Sequence, residues 1–304
     1  MTAASPSATP GRTAPSTLIC VCLKPVWRTD VPLRLDAAGR APRAAEALAV
    51  ANGADLAALR LALELRAALP GGRVLALTVG PPAAAAVLRE ALAAGADEVL
   101  RVWGADWPAA EPPVDGTGGV ARALAAAAAE ALRPRAPRLV LTGERSADQG
   151  QELFGGFLAA ALGADFAHRA TDVRPAGAGW QATALLERGY GQVLTLAAPA
   201  LATVSERLPR PSYAALPAWL ASRAAPVPHA LAGGPAPQAA ETALRVPLPR
   251  VKRYRVPGGG LPAEARIRAM VTLAARGGGT VLAGEPPEAQ AEAILTLLRE
   301  RGYR

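Results

Sequence analysis

Short apolar runs alternate with stretches of helical periodicity through the first half of the chain. Thr17 to Leu23 is nearly all apolar and predicts a strand covered on both faces. Trp27 to Arg40 reads as a short hairpin around Asp36-Ala-Ala-Gly39. Asn52 is a good N-cap, Asp55 falls in the first turn where the helix dipole favours an acid, and the helix continues to Leu69 before Pro70-Gly71-Gly72 stops it. Strand Val74–Val79, helix Ala83–Ala94, strand Glu98–Trp103 and helix Val120–Leu132 follow, with a Pro- and Gly-rich connection over Ala105–Gly118. The next unit is a buried strand at Leu139–Leu141, a polar loop from Gly143 to Gln151 and an apolar helix from Glu152 to Leu162. This alternation predicts an α/β fold, a mostly parallel sheet flanked by helices and joined by right-handed crossovers.

Beyond Gly163 the pattern changes. Ala170–Arg174, Trp180–Glu187, Gln192–Leu196 and Ala200–Ser205 read as strands separated by Gly-containing turns, and are expected to extend the same sheet in antiparallel fashion. Leu208–Arg223 reads as an irregular arm. The domain expectation is a floppy tail at 1–16, an α/β domain at 17–225 that includes an arm at 208–223, a Pro/Ala/Gly-rich linker at 226–250, and a C-terminal helical appendage at 251–304. The appendage should hold a helix from Pro262 to Arg276, a short strand TVLAG, and an amphipathic helix from Pro287 to Arg301.

Composition narrows the function classes. The 304 residues are 51% hydrophobic, enough for one large domain or one domain with an appendage. The net charge is +8, almost all of it arginine, since lysine occurs only at Lys24 and Lys252. The arginines are scattered and aromatics make up only 4%, so no base-stacking basic stripe is present and nucleic-acid binding is not expected. The one dense basic run, Arg245–Arg255, suits a docking arm as well as RNA. No apolar run is long enough for a membrane span, and the first residues lack a signal-peptide apolar core, so a cytoplasmic protein without membrane insertion is expected. Cys20 and Cys22 alternate onto one face of a strand, which makes them poor disulfide partners and a weak metal signal. They read as small buried residues in a reducing compartment.

No catalytic or metal constellation stands out. His168 follows an apolar helix and His229 sits in the expected linker, with no partner fixing either. Walker-type and G-x-G-x-x-G phosphate loops are absent. The chain reads as a binder rather than an enzyme. Its candidate ligand contacts are the loops at strand ends, where Gly80 and Gly143 allow close backbone approach and Asn52, Asp148 and Gln151 offer hydrogen-bonding side chains. A strand-loop-helix unit aims backbone N–H groups and a helix dipole at such an edge, which suits a phosphate or nucleotide.

At these residues the sequence resembles the beta subunit of electron transfer flavoprotein. LICVCLKPV (Leu18–Val26) is similar to that family's I-x-V-x-x-K-x-V, and Asn52-Gly-Ala-Asp55-Leu to its N-P-[FY]-D opening of a helix. Thr78–Val102 resembles S-V-G-P-x-x-x-x-x-L-R-x-A-L-A-M-G-A-D-x-x-x-x-V. LVLTGERSADQGQELFGGFLAAALG (Leu139–Gly163) is similar to the family's nucleotide loop, and Leu208–Arg223 to its L-N-x-P-R-Y-x-S-L-P arm. In the loop, Asp148-Gln-Gly150-Gln151-Glu-Leu153 replaces the second acid, the hydroxyl residue and the later glutamine of D-x-D-x-[ST]-x-Q.

The resemblance implies an adenine nucleotide alpha hydrolase-like domain paired with an electron transfer flavoprotein alpha subunit, which holds most of the FAD contacts. It implies AMP, or a second FAD in bifurcating members, among Cys22, Lys24, Asn52, Gly80, Gly143, Asp148 and Gln151. It also implies that Tyr213 and Leu216 dock partners. The function implied is an electron carrier between a flavin-dependent dehydrogenase and the quinone pool through a quinone oxidoreductase. The residues alone also suit a non-redox, adenine-nucleotide-binding regulatory module of the same architecture.

Overall fold

In the computed structural model, residues 17–28, 49–108, 118–238, 262–265, 282 and 284–300 are described. The chain divides into two units, Met1–Val246 and Pro247–Arg304. The expected tail at 1–16, the hairpin tip after Arg28, the basic run Arg245–Arg255, and most of the strand TVLAG and of the helix at Pro262–Arg276 lie outside the described residues.

The first unit is built on β1 (Leu18–Cys22), β4 (Arg73–Val79), β5 (Glu98–Trp103) and β6 (Leu139–Gly143), all parallel. Strands β1, β4 and β6 are apolar almost end to end because both faces are covered. Helices α1 (Gly53–Ala68) and α2 (Ala85–Ala94) close one face around Ile19, Val21, Leu59 and Leu88. Helices α3 (Gly119–Leu132) and α4 (Phe154–Leu162) close the other around Cys20, Leu75, Leu77, Leu132 and Leu158. A small antiparallel pair, β2 (Pro25–Trp27) with β3 (Ala49–Ala51), stands beside the sheet.

The far half departs from the expected simple extension. β7 (Asp165–Ala176), β8 (Gly179–Leu185) and β9 (Gly191–Leu196) are antiparallel as expected, but β10 (Ala200–Val204) is not. It inserts between β6 and β7 and runs parallel to both. Every residue of β10 is buried, which fits a central strand rather than an alternating half-exposed one. β7 also begins five residues earlier than its pattern suggests: its first half pairs with β10 and its second half with β8.

Two irregular segments are ordered. The arm carries α5 (Leu216–Ala224), with Pro217 in its first turn, where a missing N–H costs nothing. In the segment expected as linker, β11 (His229–Leu231) pairs with Arg101–Trp103 and becomes the sheet's edge. The strand order is β11-β5-β4-β1-β6-β10-β7-β8-β9. In the second unit, α6 spans Pro287–Glu300. No helix among the described residues is long and apolar enough to cross a membrane.

Candidate functional site

The chain moves outward from β1 through β4 to β5, then returns to place β6 on the other side of β1. That reversal leaves a crevice at the carboxyl ends of β1 and β6, the place where open α/β sheets receive ligands. An open cleft lies there, walled by Cys22, Val79, Thr142 and Gly143 at strand ends, Val120 and Leu124 of α3, and the β6–α4 loop.

Asp55 spans the crevice. Its Oδ2 accepts from the backbone N–H of Lys24 at 2.7 Å and its Oδ1 from that of Gly143 at 2.9 Å. One carboxylate on the first turn of α1 therefore ties together the ends of two adjacent strands. Burial pushes its pKa up to about 6, against the lowering effect of hydrogen bonds from Lys24, Asn52 and Gly143 and of the Lys24 charge. Gly143 must be glycine: a Cβ would lie 2.3 Å from Asp55 Oδ1 and 2.7 Å from Ala54 Cβ.

Asn52 precedes α1 but does not cap it with its side chain. Its Nδ2 donates to Arg145 O at 2.8 Å, and its Oδ1 accepts from Ala147 N at 3.0 Å. It pins the β6–α4 loop instead, nearly a hundred residues away. Glu144, buried at the start of that loop, accepts from Arg169 Nε at 3.1 Å and from Glu206 N at 2.9 Å. The loop turns at Ser146, whose carbonyl accepts from Gly150 N at 3.0 Å. Glu152 holds a φ of +58°, so α4 begins at Phe154 rather than at Glu152 as its sequence suggests. Gly155 lets α4 lie close against the sheet, where a Cβ would meet Thr203 Cγ2 at 2.5 Å.

Of the sequence-predicted contacts, Cys22, Lys24, Asn52, Gly143 and Gln151 all line this cleft. A hydrogen bond with Cys20, together with burial, pushes the Cys22 thiol up, so it stays protonated and packs as a neutral wall. Asp148 stands at the mouth, where its Oδ1 accepts from Lys24 Nζ at 3.0 Å and from Gln149 N at 2.7 Å. Gly80 is apart from the lining. Its N–H donates to Val102 O at 3.0 Å, and a Cβ would meet Ala84 at 2.7 Å, so it serves the turn into α2. Tyr213 and Leu216 lie on the arm, away from the cleft lining, and both are exposed.

Sequence reasoning assigned Asp55 to the helix dipole and missed it as the brace. Its only signal was the Asn-x-x-Asp spacing at a helix start. Glu144 had none, because its arginine partner comes 25 residues later. His168 stands behind the loop, 3.5 Å from Glu152 and 2.9 Å from Thr203 Oγ1. Among the described residues no cluster of His, Cys, Asp and Glu could hold a metal ion.

The cleft fits one part of an adenine nucleotide better than another. Val79, Val120 and Leu124 give an apolar wall for a planar ring. The phosphate end fits less well, since both lining cations, Lys24 and Arg145, already face carboxylates, Asp148 and Glu206.

Comparison with known proteins agrees with this architecture. The family described as "Electron transfer flavoprotein domain" matches residues 44–232. The electron transfer flavoprotein subunit beta of Bradyrhizobium diazoefficiens is 29% identical over 209 residues, covering 69% of this chain and 79% of that protein. The matched region holds Asn52, Asp55, the β6–α4 loop and the arm, that is, most of the described site, and the chain belongs to the electron transfer flavoprotein family, on its beta-subunit side.

Proposed function

We propose that this chain is the beta subunit of a heterodimeric electron transfer flavoprotein. It carries electrons from a flavin-dependent dehydrogenase toward the quinone pool, by way of a quinone oxidoreductase, and turns over no substrate of its own. The redox-active FAD is held mainly by an alpha subunit, with this chain covering part of the flavin site. Its own cleft binds an adenine compound as a structural element, and Tyr213 and Leu216 present an apolar contact to the dehydrogenase. A working place in the cytoplasm goes with this role.

The observation that carries this reading is the crevice between β1 and β6. It combines a family-specific sequence with a cleft at the carboxyl edge of the sheet that Asp55 braces across two strand ends. The arm adds support: Leu216 is 66% exposed, an apolar side chain largely open to solvent.

Co-expression with the alpha subunit tests the proposal. The purified pair should show the two visible flavin bands and bleach when a flavin-dependent dehydrogenase and its substrate are added. A stable pair without flavin absorbance would refute it.

A further inference from the structure

The electrostatics of the cleft select among adenine compounds, an inference that rests on the nucleotide-binding reading above. Two features at this edge would ordinarily attract a phosphate: the Lys24 ammonium and the amino-terminal end of α4, where Leu153, Phe154 and Gly155 line the cleft. Lys24 already has a carboxylate of the chain beside it, and an acidic residue, Glu152, stands just ahead of α4. Asp148 sits 3.0 Å from Lys24 Nζ, and both side chains are about three-quarters buried, at 23% and 24% exposed. Glu152 lies two residues before α4 and lines the same cleft.

The Lys24–Asp148 pair is held from both sides. Lys24 is fixed through its backbone N–H on Asp55, and Asp148 through Gln149 N at 2.7 Å on the same Oδ1. Arg145, the other cation lining the cleft, pairs with Glu206 across the loop. We infer that Asp148 is an internal counter-ion occupying the charge position of a ligand phosphate, so that the cleft takes the nucleoside part of an adenine compound and discriminates against a terminal phosphate dianion. A phosphate reaching Lys24 has to displace Asp148 and then stand beside it, and like charges at such separations repel.

Equilibrium binding of adenosine and of AMP to the full chain and its Asp148→Asn variant tests this. The asparagine keeps the acceptor for Gln149 N, and matching thermal unfolding midpoints would confirm that the fold is kept. The chain itself should bind AMP no more tightly than adenosine. Asp148→Asn should raise AMP affinity about tenfold and leave adenosine within about twofold, with the AMP gain shrinking at high salt. If the unmodified chain already prefers AMP by tenfold or more, or if the variant leaves the AMP-to-adenosine ratio unchanged, the counter-ion role is overturned while nucleotide binding stands. If neither compound binds either protein, both readings fall.

Discussion

Replacing Asp55 by asparagine keeps the side chain's shape and removes its charge. In the folded chain this carboxyl titrates near 6 instead of its ordinary 3.8, because burial opposes ionisation more than the hydrogen bonds from Lys24, Asn52 and Gly143 favour it. The folded state therefore holds the proton more tightly than the unfolded chain does. The group's contribution to stability is greatest at low pH, declines as the pH rises between about 4 and 6, and levels off above that. Linkage between the two values gives a loss of about 1–1.5 kcal/mol from pH 5 to pH 7.5. Asparagine has no such dependence, but it turns an amide N–H toward one of the two backbone donors, at a cost of about 1–3 kcal/mol. Urea unfolding of both proteins across this range measures the difference. The variant should be most handicapped at pH 5 and recover about 1–1.5 kcal/mol of that deficit by pH 7.5. A deficit that stays constant, or widens with pH, would mean that the hydrogen bonds outweigh burial and would refute the argument.

Three other substitutions probe the rest of the site. Gly143→Ala places a methyl 2.3 Å from Asp55 Oδ1 and should cost about 1–3 kcal/mol while abolishing adenosine binding, measurable by urea unfolding and calorimetry. Gly155→Ala forces α4 away from Thr203 and should lower the thermal midpoint by a few degrees; an unchanged midpoint would show that the helix is not seated there. Leu216→Ala, on an exposed side chain, should change stability by less than about 0.5 kcal/mol yet raise the KM for the heterodimer in a dehydrogenase-coupled assay.

Much of the parallel core was legible because its strands are continuous apolar runs punctuated by Gly and Pro. Strand β5 begins and ends where the pattern places it. The position of β10 was not legible: Ala200–Val204 names a buried strand, but nothing local says which neighbours it joins. Propensity is also silent on β11, a three-residue strand whose partner lies some 130 residues earlier. Within the site, glycine and polar loop residues flagged Gly143, Asn52 and Gln151, since their types are informative wherever they occur. The work those residues do was hidden. Asn52 reads as a helix cap, yet its side chain reaches the loop at Arg145 and Ala147 instead. Glu152 looks like a first-turn acid, yet its left-handed backbone delays the helix.

The placement of β10 has a consequence for synthesis on the ribosome. Until residues 200–204 emerge, β6 and β7 cannot be joined, because the strand that separates them in space is the last of the three to be made. A nascent chain carrying everything through β9 therefore leaves the facing edges of β6 and β7 unpaired, the kind of surface that recruits chaperones or pairs wrongly with neighbours. Translation pauses or truncations just before Ala200 should be the most aggregation-prone, and release of a few more residues should end that exposure in a single closing step.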